Sequence, residues 1–147
     1  MKVYYKEVKT ILNKSKIDGV EYTLNPYIGC EHNCKYCYAT YMSTFVNEKN
    51  EDWGKFVYVK KNAKEILQKD LRKLIKKGEK PAIMLASATD AWQSIEKTEE
   101  ITRGILETFI SNDFDGILSC LTKNSLIYRD IDLFKQIKNV VVGMSIT

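Results

Sequence analysis

The stretch Ala82-Ile83-Met84-Leu85-Ala86 is apolar at every position, which is typical of a strand buried on both faces. Two further runs that are largely apolar follow it, at Ile117-Leu118-Ser119-Cys120-Leu121 and Val140-Val141-Val142-Gly143-Met144. Segments with helical periodicity separate the three runs. Buried strands that alternate with helices indicate a parallel sheet covered by helices.

The segments outside these runs extend the same pattern. A capping-box pair, Asn62 and Glu65, precedes apolar residues at helical spacing, and Gly78 ends that helix. Further helices are predicted from Thr98 and over 130–137, and the segment Tyr38 to Val46 could begin another. An apolar stretch over 20–28 adds a first strand, so the predicted order is βαβαβαβ. Residues 1–19 are lysine-rich and are interpreted as an N-terminal extension, which leaves 20–147 as the main unit.

Composition favours a soluble globular protein. The chain has 147 residues, of which 44% are hydrophobic and 29% are charged. No apolar run is long enough to span a bilayer, so no membrane partner is expected. The four cysteines lack a secretory context, which fits the reducing cytoplasm. A net charge of +4 permits a nucleic-acid partner but does not argue strongly for one.

Three cysteines lie within eight residues, Cys30-Glu31-His32-Asn33-Cys34-Lys35-Tyr36-Cys37, at the spacing C-x3-C-x2-C. Clustered thiolates bind zinc, Cu(I) or iron–sulfur clusters. A four-iron cluster with three protein ligands would leave one iron open. One alternative is a structural zinc site with His32 as the fourth ligand, although structural zinc usually joins segments that are distant in sequence. A disulfide would leave one of the three cysteines unpaired.

This motif, with Tyr36 before the third cysteine, resembles the cluster-binding motif of the radical S-adenosylmethionine superfamily, and in particular its spore photoproduct lyase-like group. The resemblance extends to other parts of the chain, at 22–30, 87–96, 102–107, 122–125 and 129–133. It implies an α/β fold in which parallel β/α units form about four strands of a partial (β/α)6 TIM-like barrel. On this interpretation, 20–147 is the N-terminal portion of that barrel, truncated after the fourth strand.

The resemblance also implies a function. A 4Fe-4S cluster with an open coordination position would reductively cleave S-adenosylmethionine, and the resulting 5′-deoxyadenosyl radical would abstract hydrogen from a substrate, with nucleic acid as a candidate. An electron donor such as flavodoxin or ferredoxin would be a partner. Two alternatives stay open: a radical S-adenosylmethionine enzyme acting on a small molecule or peptide, and a non-catalytic zinc or iron–sulfur binding module.

The site residues implied by the resemblance fall in two groups. The metal ligands are Cys30, Cys34 and Cys37, and the cofactor-binding residues are Tyr36, Ser87, Thr89, Asp90, Lys123 and Ser145. No catalytic residue is identified. Asp90 could equally cap a turn, and the default role for Cys120, within an apolar strand, is packing as a small hydrophobic residue. The predicted cofactor-binding residues other than Tyr36 follow predicted strands, at the edge where ligands bind in parallel β/α folds.

Overall fold

Two β-sheets and four α-helices make up the computed structural model, which describes residues 1–147. The strands are β1 (Lys2–Lys6), β2 (Leu12–Lys14), β3 (Tyr22–Leu24), β4 (Tyr27–Ile28), β5 (Phe56–Lys60), β6 (Ala82–Leu85), β7 (Ile117–Thr122) and β8 (Val140–Met144). The α-helices are α1 (Ala63–Lys76), α2 (Glu96–Glu99), α3 (Ile101–Ser111) and α4 (Ile131–Phe134). Three 3-10 helices lie at Tyr38–Val46, Asn50–Asp52 and Ser125–Asp130.

The larger sheet has five strands in the order β2-β3-β6-β7-β8. Strands β3, β6, β7 and β8 are parallel to one another, whereas β2 pairs antiparallel with β3. One core of 20 buried residues is formed by α1, α3 and this sheet together with α4, the 3-10 helix before it and several connecting segments. Leu67, Leu71 and Leu74 of α1 belong to this core because their spacing places them on one face of the helix.

The smaller sheet has three strands in the order β1-β5-β4. Strand β1 is parallel to β5, and β4 is antiparallel to it. Strands β3 and β4 are separated only by Asn25 and Pro26, so the chain passes from one sheet to the other within two residues. Pro26 has no N–H group to donate to a strand ladder, which favours a break at this point.

These observations correct the predicted fold class. The chain is α/β, but its two sheets mix parallel and antiparallel strands and do not form part of a TIM-like barrel. The apolar stretch over 20–28 is two short strands in different sheets rather than one strand. Strands β1, β2 and β5 were also absent from the predicted order, and β1 and β2 place much of the segment 1–19 in the two sheets.

The predicted local elements agree with the structure better than their predicted arrangement does. The three apolar runs are β6, β7 and β8, and the helix predicted after Asn62 is α1. The helix predicted over 130–137 is limited to α4, and the segment 38–46 is a 3-10 helix. None of the helices has both the length and the apolar character that crossing a membrane would require.

Candidate functional site

A cavity of about 130 Å³ lies at the carboxyl ends of β6, β7 and β8, where the cysteine loop meets the sheet. In parallel sheets this edge is where ligands usually bind. The cavity is lined by 15 residues, and the polar and sulfur-bearing ones are Cys30, His32, Cys34, Cys37, Tyr38, Ser87, Thr89, Asp90, Thr122, Lys123 and Ser145. The topology therefore joins four separate segments of the chain at one site.

The cysteine loop begins at Gly29, which has a positive φ of 99°. A Cβ atom at this position would lie 2.3 Å from the carbonyl oxygen of Phe56, so only glycine allows the loop to approach β5 this closely. The loop is then closed by a hydrogen bond of 3.0 Å from the Cys37 amide to the Cys34 carbonyl oxygen. The three cysteines of the loop form no disulfide.

The three thiols differ in their surroundings. Cys30 is buried, and burial raises the pKa of its thiol to about 11. Cys34 lies beside the amine of Lys123, whose pKa is raised by its hydrogen bond to the Tyr36 hydroxyl and also by its contact with Cys34. The Lys123 amine lies 4.8 Å from the centre of the Tyr36 ring.

The Asp90 carboxylate is the best-anchored group of the site. It is 5% exposed, and it accepts hydrogen bonds from the Thr122 hydroxyl at 2.7 Å and from the amides of Trp92 and Lys123, both at 2.9 Å. The Nε2 atom of His32 lies 3.0 Å from its second oxygen. Asp90 therefore caps the turn that follows β6 and also holds the His32 ring at the edge of the cavity.

A second set of hydrogen bonds fixes the cysteine loop to the segment after β6. The carbonyl oxygen of Gly29 accepts from the Thr89 hydroxyl at 2.6 Å and from the Gln93 amide at 3.2 Å. The Gln93 side chain in turn accepts from the Glu31 amide at 3.1 Å. Ser87 accepts from the side-chain amide of Asn25 at 3.1 Å. These contacts position the loop, and they leave the thiols as the chemically distinctive groups of the cavity.

A buried ionic cluster holds the segment after β6 in place. Glu96 and Asp130 are fully buried, and Arg129 bonds to both carboxylates at 2.8 Å. Asp130 also accepts from the Trp92 indole at 2.9 Å. Burial alone would raise the pKa of Asp130, but the bonds from Arg129, Trp92 and Arg103 hold it below its ordinary value. The loop that carries Asp90 is thereby anchored to α2 and to the 3-10 helix before α4.

The structure brings eight of the nine predicted site residues to this one cavity. The exception is Tyr36, which is outside the lining but contacts Lys123 at the rim. The analysis of the sequence missed the roles of Thr122 and Gln93 in fixing Asp90 and the loop. Position after a strand was the available signal for Thr122, whereas nothing local marks Gln93, whose partners Gly29 and Glu31 are more than 60 residues away.

Sequence comparisons place this chain beside proteins without an assigned activity. A family model described as "Protein of unknown function (DUF5131)" matches residues 14–147. An uncharacterized protein of Methanocaldococcus jannaschii is 39% identical over 140 residues, which are 95% of this chain and 49% of that protein. An uncharacterized protein of Mycobacterium tuberculosis strain H37Rv is 31% identical over 116 residues, 78% of this chain and 33% of the relative. The chain thus spans half or less of these relatives. No solved structure matches it.

These findings correct the assignment made from the cysteine motif. The matching family is one of unknown function, its relatives are uncharacterized, and nothing among them identifies a radical S-adenosylmethionine domain. The radical, lyase-like function is therefore withdrawn. The alternative of a zinc-binding module is also wrong for this arrangement, because no three His, Cys, Asp or Glu side chains are placed to hold a metal ion and His32 bonds to Asp90.

Proposed function

Because this chain belongs to the DUF5131 family, whose function is unknown, we propose a function from the geometry of its site: the three-cysteine cavity is a cofactor-binding site. The observation that carries this proposal is the presence of three thiols, none in a disulfide, around one cavity at the carboxyl edge of parallel strands. Among the groups that thiolates bind, a 4Fe-4S cluster is the one to test first. When bound, such a cluster supplies electron transfer.

The donor set suits a multinuclear group better than a single ion. A cluster takes one thiolate at each iron, so its ligands have to surround a cavity rather than converge on one point. Cys30, Cys34 and Cys37 all line one cavity. The Lys123 amine beside Cys34 adds one positive charge to this side of the cavity.

The remaining expectations are part of the same proposal. S-adenosylmethionine is the second cofactor to test, with the half-buried polar residues Ser87, Lys123 and Ser145 of the cavity lining as its candidate contacts. We propose that the site belongs to an enzyme that works in the cytoplasm, where thiols stay reduced, and no reaction is assigned to it. An electron donor such as flavodoxin or ferredoxin is the partner that a redox cluster would need, and nucleic acid stays a candidate partner.

Anaerobic reconstitution with iron and sulfide tests the cluster. We expect a brown protein with about four irons and four sulfides per chain. Single Cys30→Ala, Cys34→Ala and Cys37→Ala variants should each lose stable cluster binding. The matched control is Cys120→Ala, because Cys120 is a buried cysteine of the main core that does not line the cavity.

Three results would count against the proposal. Tight binding of one zinc without iron uptake would exclude the cluster, and retention of full iron content in all three loop variants would exclude these ligands. Loss of iron in the Cys120 variant alone would move the site elsewhere. For S-adenosylmethionine, calorimetric titration of the reconstituted protein should give a binding signal that the Cys34 variant lacks.

A further inference from the structure

A second and larger cavity, of about 780 Å³, opens on the other side of the segment Ser87–Ala88. It is here called the lysine groove, because its lining includes five lysines and a single acidic residue, Glu7. The five are Lys6, Lys9, Lys14, Lys16 and Lys60. The whole chain has a net charge of only +4, so this one groove concentrates positive charge that the rest of the surface balances.

Lys60 is unusual among these lysines because its side chain is buried. The residue is 7% exposed, and its ammonium donates a hydrogen bond of 2.7 Å to the carbonyl oxygen of Asn25. No carboxylate lies within ion-pair distance of it, whereas lysines such as Lys80 and Lys138 pair with aspartates on the surface. A buried ammonium without a counter-charge is costly, and an anionic ligand in the groove would supply that charge.

The groove also has an aromatic rim. Tyr38, Tyr41 and Phe45 all line it, and they are 65%, 48% and 66% exposed. All three come from the 3-10 helix that follows the cysteine loop. Exposed rings beside a cluster of cations can stack on a flat ring whose other end is anionic. The groove thus offers two kinds of contact within one cavity.

We propose that the lysine groove binds a nucleoside phosphate, with its phosphates at the lysines and its base at the aromatic rim. The volume lies within the range of about 300–1,000 Å³ found for small-molecule sites. A small molecule is favoured over a nucleic-acid strand because the unpaired cation is buried at Lys60, out of reach of an extended backbone on the surface. Tyr38, Ser87 and Ala88 line both cavities, so the ligand would lie beside the cysteine site.

Titration calorimetry of the metal-free chain with adenosine diphosphate, pyrophosphate and adenosine tests the proposal. Adenosine diphosphate should bind most tightly, pyrophosphate more weakly and adenosine without a measurable signal. Lys60→Met should weaken binding of adenosine diphosphate by about tenfold or more, as expected for loss of a charged hydrogen bond. Lys76→Met is the matched control, since Lys76 is an exposed lysine of α1 outside the groove, and it should change binding by less than about twofold.

Other variants keep the test independent of folding and of the cofactor. If Lys60→Met does not fold, exposed Lys14→Met and Lys16→Met should each weaken binding and reduce its salt dependence. Cys34→Ala should bind adenosine diphosphate like the parent chain, so failure of the cluster and failure of the groove give different results. Equal affinity for adenosine and adenosine diphosphate would overturn the proposal. So would unchanged binding in the lysine variants, or tight binding of a single-stranded oligonucleotide with none of the mononucleotide.

Discussion

The buried amine of Lys60 predicts an unusual dependence of stability on pH. Burial, together with a smaller contribution from the neighbouring charge of Lys6, lowers the pKa of this amine from 10.5 to about 8. Between these two pH values the unfolded chain binds more protons at this residue than the folded chain does. The contribution of Lys60 to the free energy of unfolding therefore rises as pH increases through this window.

The size of the effect follows from the two pKa values. Below about pH 8 the buried charge costs roughly 3 kcal/mol, which is the pKa difference converted to free energy. Raising the pH from about 7.5 to about 9.5 should remove about 2 kcal/mol of this cost. The thiols of Cys30 and Cys120 act in the opposite direction, because burial raises their pKa values to about 11 and about 12 and the unfolded chain loses these protons first. The pH dependence of the parent chain's stability therefore combines opposing contributions, and by itself it does not isolate the contribution of Lys60.

Comparison with Lys60→Met isolates the lysine term, since the variant keeps both cysteines. Urea unfolding of both proteins under reducing conditions, at about pH 7.5 and about pH 9.5, gives the two free energies at each pH. The difference between parent and variant should shift by about 2 kcal/mol in favour of the parent at the higher pH. A difference that stays constant within about 0.5 kcal/mol would show that the amine of Lys60 titrates normally, and the buried, uncompensated cation would then be refuted.

Three substitutions test the supports of the site by the same unfolding measurement. Gly29→Ala should cost more than about 1 kcal/mol and disturb the loop, because its φ of 99° and its close approach to Phe56 leave no room for Cβ, and an unchanged stability would contradict this. Asp90→Asn should cost about 1.5–3 kcal/mol, since the amide cannot accept on both atoms. Arg129→Met should cost about 3–5 kcal/mol, because it leaves the buried Glu96 carboxylate without an ion pair and leaves Asp130 with Arg103 alone. Lys138→Met, at an exposed ion pair, should stay within about 1 kcal/mol and serves as the control.

Local pattern was a good guide to individual elements. The leucine spacing over 63–76 and the apolar runs at 82–85, 117–122 and 140–144 correspond to α1, β6, β7 and β8. The rule that ligands collect at the carboxyl edge of parallel strands also predicts that Ser87, Asp90 and Lys123 lie beside the cysteines, and all three line the same cavity as the cysteines. Both inferences depend on information within a few residues or on the direction of the strands.

The pairing of strands that are distant in the sequence could not be predicted from local pattern. Strand β1 contains two lysines, two tyrosines and one valine and is mostly exposed, so no buried run marks it. Its partner β5 begins 50 residues after β1 ends. Strand β2 is only three residues long and turns antiparallel to β3. These strands decide that the fold has two mixed sheets rather than part of a barrel.

By itself, therefore, the sequence determined the thiol-rich loop and strands β6, β7 and β8, and it predicted that the polar residues after these strands lie beside that loop. Only the tertiary structure decided which groups those residues contact. In the folded chain His32 contacts Asp90, and Lys123 lies beside Cys34. Lys60 is buried in a groove whose lining residues lie between Lys6 and Ala88 in the sequence. The physical reason is that periodicity and spacing depend on neighbouring residues, whereas hydrogen bonds and burial depend on segments brought together by folding.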